Sequence, residues 1–291
     1  MSYSPPFSGG LPPPVPHTTI TFPREHVMLV TLSRPKALNA IPVAQHLALS
    51  DLWTWYDQEP WLRCAVLTGT GRAFCAGADL KEWDVKNNSG DGSSSNPNAW
   101  LFRGGFGGLS NRSGPYNPIV AAVNGLCLGG GMEMAVNCDI IVASASKAKF
   151  ALPEVKRGVI ALAGALPRLV RTVGRQRASE MALLGRMYGA REMKDWGIVN
   201  KVVEDEKEHE GEEATVKEAL KWAEEIAGNS PDAVVASKEG LRLGWEGLGP
   251  EDATEVLLKG VYMRMDGKEN MKEGVRAFVE KRGPKWVGSK L

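Results

Sequence analysis

Cysteine and histidine are scarce in this sequence, and neither sign of charge is in excess. Four cysteines, Cys64, Cys75, Cys127 and Cys138, stand apart in 291 residues. They form no Cys-x-x-Cys pair and sit in apolar runs such as Cys64-Ala65-Val66-Leu67, so buried free thiols in a reducing compartment are expected, not a disulfide framework. The four histidines, His17, His26, His46 and His209, are scattered, with no H-E-x-x-H and no Cys/His cluster. No metal is expected, and His46, on a predicted helix, reads as a satisfied structural histidine. Lys and Arg number 35 against 34 Asp and Glu, so no global field recruits nucleic acid or an anionic membrane surface. There is no apolar run long enough to span a bilayer, no signal-peptide pattern, no G-x-S-x-G elbow and no P-loop.

With 43% hydrophobic residues, the chain can bury one large core or a main domain with a small appendage. Residues 1–17, rich in Pro, Gly and Ser, read as a disordered arm. Thr18 to Phe22 and Val27 to Leu32 look like paired strands, followed by a helix from about Val43 to Tyr56. Arg63 to Thr68, Ile119 to Val123 and Ile140 to Ala143 are short apolar runs, as expected of strands buried on both faces. Their alternation with helical segments predicts an α/β core of crossover units over residues 18–204. Asn87 to Tyr116, dense in Gly, Ser and Asn but carrying Trp100, Leu101, Phe102 and Phe106, reads as a lid over an apolar pocket or as a surface insertion. From about residue 205 the composition becomes charged and helical, with Val216, Leu220, Ala223 and Ala227 at helical spacing. This defines a C-terminal helical region over 205–291.

Two glycine-bearing turns are candidates for chemistry. Ala73-Phe74-Cys75-Ala76-Gly77-Ala78-Asp79-Leu80 leaves a predicted strand and opens a helical segment, where small residues let a ligand approach the backbone. Val123-Asn124-Gly125-Leu126-Cys127-Leu128-Gly129-Gly130-Gly131-Met132-Glu133 runs from a buried strand through three glycines into a helix. Three glycines in a row imply unusual dihedrals or close approach, which an oxyanion site, a phosphate cradle or a tight structural turn would each require. No Lys-Ser/Thr or G-x-G-x-x-G accompanies them, which ranks phosphate below an oxyanion. Glu133 follows these glycines and Glu154 follows Pro153 after the next strand. As a pair they could hold a water and pass protons to either end of a double bond; singly, each reads as a solvated strand end.

Arg34-Pro35-Lys36-Ala37-Leu38-Asn39-Ala40, the Phe74 to Leu80 segment, Asn124-Gly125 through Glu133, and Pro153-Glu154, in that order, resemble the crotonase (enoyl-CoA hydratase/isomerase) superfamily over roughly residues 25–286. The resemblance implies a spiral of ββα units followed by a helical trimerisation region, and a homotrimer or a hexamer made of two trimers. It implies that the Ala78 and Gly130 amides form an oxyanion hole for the thioester carbonyl of an acyl-CoA. Glu154 then exchanges the proton at the α carbon, and Glu133 orients and deprotonates the water. Lys36, Ala37, Ala76 and Leu80 would line the CoA pocket, with Phe278 and Lys281 reaching CoA across a subunit interface. No cofactor is implied, since CoA is part of the substrate. The stretch Gly158 to Leu166 departs from the glycine-rich pattern of short-chain hydratases through Leu162 and Ala165, beside the acyl chain.

The expected activity is reversible hydration of a 2-enoyl-CoA, with a fatty acyl chain or a branched 3-hydroxy-3-methyl acyl group of secondary or siderophore metabolism as the substrate. An enoyl-CoA isomerase, a CoA-thioester hydrolase and a crotonase-fold RNA-binding module are the alternatives, the last disfavoured by the balanced charge. The chain ends in Ser289-Lys290-Leu291, the tripeptide read by the peroxisomal import receptor, which points to the peroxisome.

Overall fold

The apolar runs form strands that divide between two sheets. In this computed structural model, which describes residues 3, 5–82, 84, 104–114, 116–204, 211–289 and 291, the strands are β1 (Thr18–Arg24), β2 (Val27–Leu32), β3 (Cys64–Gly69), β4 (Ala73–Cys75), β5 (Ile119–Val123), β6 (Leu126–Leu128), β7 (Ile140–Ser144), β8 (Lys149–Ala151), β9 (Tyr188–Gly189) and β10 (Lys201–Val203). One sheet has the order β1-β2-β3-β5-β7-β10 and the other β4-β6-β8-β9. From β3 to β8 successive strands alternate between them, so β3/β4, β5/β6 and β7/β8 are turns of a spiral. Apart from β1–β2 and β8–β9, which are antiparallel, the pairings are parallel. Parallel pairing needs crossovers and buries both faces, which explains the unbroken apolar sequence of β3 and β5.

The helices are α1 (Val43–Gln58), α2 (Gly130–Ala135), α3 (Ala165–Leu184), α4 (Ala190–Asp195), α5 (Gly211–Ala227), α6 (Pro231–Trp245), α7 (Pro250–Leu257) and α8 (Glu269–Val279). A π-helical turn, Leu258–Tyr262, carries α7 on into Met263–Met265. Strand alternation divides the core. Ala65, Leu67, Ala121 and Val123 face Leu49, Leu52, Trp53 and Phe106, whereas Cys64, Val66, Val120 and Ala122 face Ala219, Leu220, Ala223 and Ala227 of α5. The helical spacing noted at Val216 to Ala227 is therefore the stripe that covers the larger sheet.

The amino-terminal arm departs from its expected disorder. Phe7 sits among Phe22, Trp55 and Trp61, with ring centroids 5.0, 5.1 and 6.1 Å away, and the Ser8 and Gly9 amides both donate to Glu59 Oε2 at 3.0 Å. Val15 is buried. A polar average conceals these few anchors. The carboxyl-terminal tail is also docked. Val287 exchanges two backbone hydrogen bonds with the Asn270 side chain, the Ser289 hydroxyl donates to Asp232 at 2.7 Å, and Leu291 packs against the Ala236–Val261–Met265 cluster. Among the described residues no helix is long and apolar enough to cross a membrane.

Candidate active site

Three neighbouring parallel strands, β4, β6 and β8, end on the same edge of the smaller sheet. The residues that follow them are therefore brought together: Gly77 and Ala78 after β4, Gly129 and Gly130 after β6, and Glu154 after β8. The carboxyl edge of parallel strands is where α/β folds gather ligand-binding groups. A methyl group built on Gly77 would stand 3.2 Å from the Gly130 nitrogen, and one built on Gly129 would stand 3.1 Å from Glu154 Oε1.

Each of the three glycines answers a separate demand. Gly129 adopts φ 54°, ψ −126° as the cap of α2, a conformation that side chains avoid. A methyl group on Gly130 would lie 2.4 Å from the Phe106 ring, and one on Gly131 would lie 2.2 Å from the Cys75 carbonyl oxygen. The α2 terminus is thus pressed between the end of β4 and Phe106. Its intrahelical ladder starts with the Glu133 amide donating to Gly129, which leaves the Gly130 N–H ahead of the ladder. Opposite it, Ala78 bridges Ile41 in parallel register through the Gly77 carbonyl and the Asp79 amide, so the ladder does not use the Ala78 N–H. Within the described residues neither amide has a protein acceptor, and together they can donate to one oxyanion.

Glu133 and Glu154 flank this edge. Glu133, only 4% exposed, accepts hydrogen bonds at Oε1 from the Ala163 amide at 2.8 Å and the Ala165 amide at 3.3 Å. Burial, reinforced by the charge of Glu154, pushes its pKa up to about 7 against the opposing pull of those amides and of Arg168. Burial also raises Glu154, whose Oε2 is enclosed without a hydrogen-bond partner among the described residues. Burial thus favours the protonated form of both carboxyl groups, which suits them to hold and exchange a proton.

Some of the expected ligand-binding residues lie beside this edge. Lys36 and Ala37 form a 3-10 turn whose following residue, Leu38, accepts from the Ala76 amide at 3.0 Å, and Lys36 and Leu80 are exposed. Phe278 and Lys281 are not brought to it within one chain: α8 packs on α6, and Phe278 is 85% exposed. Leu162 is exposed as well, while Ala165 is buried and serves through its amide. Among the described residues no group of three or more His, Cys, Asp or Glu gathers as for a metal.

Sequence reasoning passed over the bracket that holds the Ala78 loop. Arg34 donates to the Ala40 carbonyl at 2.6 Å and to Asp79 at 2.9 Å, while buried Asn39 donates to the Thr70 and Ala73 carbonyls at 3.0 and 2.7 Å. The signal was present in Arg34-Pro35 and Asn39, which were read as part of a motif without a task. Phe106 belongs to the segment read as a lid or as a surface insertion. It lies instead beneath Gly130, edge-on to His46, whose Nδ1 accepts from the Gly107 amide at 2.9 Å and whose pKa burial lowers to about 4. Trp100, Leu101 and Phe102 lie outside the described residues.

Known proteins match this arrangement along almost the whole chain. The model of the enoyl-CoA hydratase/isomerase family matches residues 23–289. The chain is 58% identical over 282 residues to a mevalonyl-coenzyme A hydratase of Beauveria bassiana, covering 96% of this chain and 98% of that protein. It is 48% identical to a mevalonyl-coenzyme A hydratase of Aspergillus fumigatus over 279 residues, covering 96% of this chain and 98% of that one. The crystal structure of an enoyl-CoA hydratase from Mycobacterium tuberculosis superposes with a TM-score of 0.80 at 33% identity, over 94% of this chain and all of that one. The chain belongs to the enoyl-CoA hydratase/isomerase family of the crotonase superfamily.

Proposed function

We propose that this enzyme interconverts mevalonyl-CoA, a branched 3-hydroxyacyl-CoA, and the 2-enoyl-CoA formed from it by loss of water. Hydratase-type chemistry follows from the family. The branched substrate is supported by the likeness to two mevalonyl-coenzyme A hydratases along nearly their whole length. The observation that carries the mechanism is the convergence of two unpaired amides and two raised carboxyl groups at the edge of β4, β6 and β8.

In this reading the thioester oxygen accepts from the Ala78 and Gly130 amides. For hydration, ionised Glu133 takes a proton from water as its oxygen bonds to the β carbon. The π electrons move to the thioester oxygen as an enolate, held by the two amides, and protonated Glu154 returns a proton to the α carbon. Dehydration runs the same steps backwards from protonated Glu133 and ionised Glu154. With Glu133 near 7, both forms are populated at neutral pH. The reading calls for no cofactor.

We also assign the chain to the peroxisome through Ser289-Lys290-Leu291, and to a homotrimer or a pair of trimers. The exposed apolar residues Val275, Phe278 and Val279 of α8 support an assembly that covers this helix and brings Phe278 and Lys281 to a neighbour's CoA. The substrate is tested with a panel of straight and branched 2-enoyl-CoAs, following loss of the conjugated-thioester absorbance. Fastest turnover of the branched, terminally hydroxylated member is expected; preference for a straight chain would overturn the mevalonyl assignment.

A further inference from the structure

Gly164 caps α3 with φ +106°, and its Cα leaves no room for a side chain: a methyl group there would lie 2.0 Å from Arg168 Nη1 and 2.3 Å from Asn111 Oδ1. Arg168 Nη1 donates to the Gly164 carbonyl at 3.1 Å and to Asn111 Oδ1 at 3.0 Å. The peptide that carries this carbonyl also carries the Ala165 N–H, which donates to Glu133 Oε1. Because a trans peptide is planar, its C=O and N–H point in opposite directions, and a guanidinium fixing the first aims the second. The positive charge also polarises the peptide so that its N–H becomes a better donor.

We propose that Arg168 is a positioning residue for Glu133, acting through the Gly164–Ala165 peptide, with Asn111 holding the guanidinium in place. This rests on the reading of Glu133 as the group that activates water. The charged groups acting on Glu133 are Glu154, from the turn after β8, and Arg168, from α3. The other elements packed against α2 are β4, β6 and the Phe106–Gly108 turn, and they add only the Cys75 and Cys127 thiols, which burial keeps protonated. Arg168 therefore supplies the cationic support of the Glu133 carboxylate, and its loss leaves Glu154 opposed only by the amides. Arg168, Asn111 and Gly164 also line an open cleft of about 610 Å³, so the guanidinium site is reachable from outside.

The test compares pH profiles of hydration for the full-length enzyme and its Glu133→Gln, Arg168→Ala and Arg168→Lys variants. In the parent, kcat should fall with acid through a limb near the Glu133 value of about 7. Arg168→Ala should lower kcat roughly tenfold or more, leave KM within about twofold, and move that limb upward. Arg168→Lys, or added guanidinium with Arg168→Ala, should return the limb towards its parent position. A parent limb that persists in Glu133→Gln would defeat the reading of Glu133 itself. A limb that Glu133→Gln removes but Arg168→Ala leaves in place would defeat only the positioning role. If Arg168→Ala melts before assay, Arg168→Met, which keeps the aliphatic stem but not the charge, takes its place, and an unmoved limb in Arg168→Met and in Asn111→Leu overturns the proposal.

Discussion

Glu133 and Glu154 differ in what holds them, and that difference sets their tasks. Glu133 is pinned at Oε1 by two amides, whereas Glu154 presents an enclosed Oε2 with no partner among the described residues. A carboxyl group waiting for a proton from carbon needs such a free oxygen. Glu154→Gln should therefore cut turnover by about two orders of magnitude or more while acyl-CoA affinity, measured calorimetrically, stays largely intact. The pH dependence of kcat/KM should be the same in both directions, because the reaction gains and loses no net proton and both directions use the pair of glutamates with one proton between them. Hydration and dehydration should each lose rate as pH falls through about 7, where the second carboxylate of the pair is protonated. Initial rates measured both ways across this range should show one acid limb in common, and its absence would contradict the assignment.

Among the elements, the glycine turn before α2 has the least freedom. Gly131→Ala places a methyl group against the Cys75 carbonyl, a backbone atom that cannot rotate away, so β4 and α2 must separate. A loss of about 1–3 kcal/mol is expected, read from denaturant melts, together with weaker turnover because the Ala78 and Gly130 amides move apart. Unchanged stability and activity would show that the two turns are not wedged together. What could be read in the chain at this scale follows from locality. β3 and β5 announce themselves through continuous apolar runs, and α5 through its stripe. The closeness of Gly77, Gly129 and Glu154 was not visible in their spacing, because it comes from the parallel pairing of β4, β6 and β8, whose partners are far apart in sequence. The family resemblance named those residues without the geometry that joins them. Phe106 was misread because glycine-rich surroundings look like a lid or a surface insertion, although those glycines serve close packing: methyl groups on Gly107 and Gly108 would strike Met134 and the Ser50 backbone.

For the whole molecule, both ends fasten onto the core, contrary to what a Pro-rich beginning and a short polar ending suggest. Phe7 explains the first: one aromatic ring among three others outweighs the polar residues around it. At the other end an import receptor would have to compete with the Ser289–Asp232 hydrogen bond and the seat of Leu291, a contest of about a kcal/mol per hydrogen bond. Removing Leu291 from an amino-terminally labelled chain should disperse it from peroxisomes in cells, and retention there would argue against the tripeptide as the address. Light scattering should give the mass of three or six chains, and charge placed on α8 by Phe278→Asp should reduce it; a monomeric parent would contradict the proposed assembly.

The account stands or falls on water crossing the double bond of a conjugated thioester. The most direct measurement is mass analysis of the product formed from the branched 2-enoyl-CoA in heavy-oxygen water. The predicted product is a 3-hydroxyacyl-CoA carrying one heavy oxygen, with CoA still attached and with formation abolished by Glu154→Gln. An isomer of unchanged mass, or free CoA and a labelled acid, would contradict it.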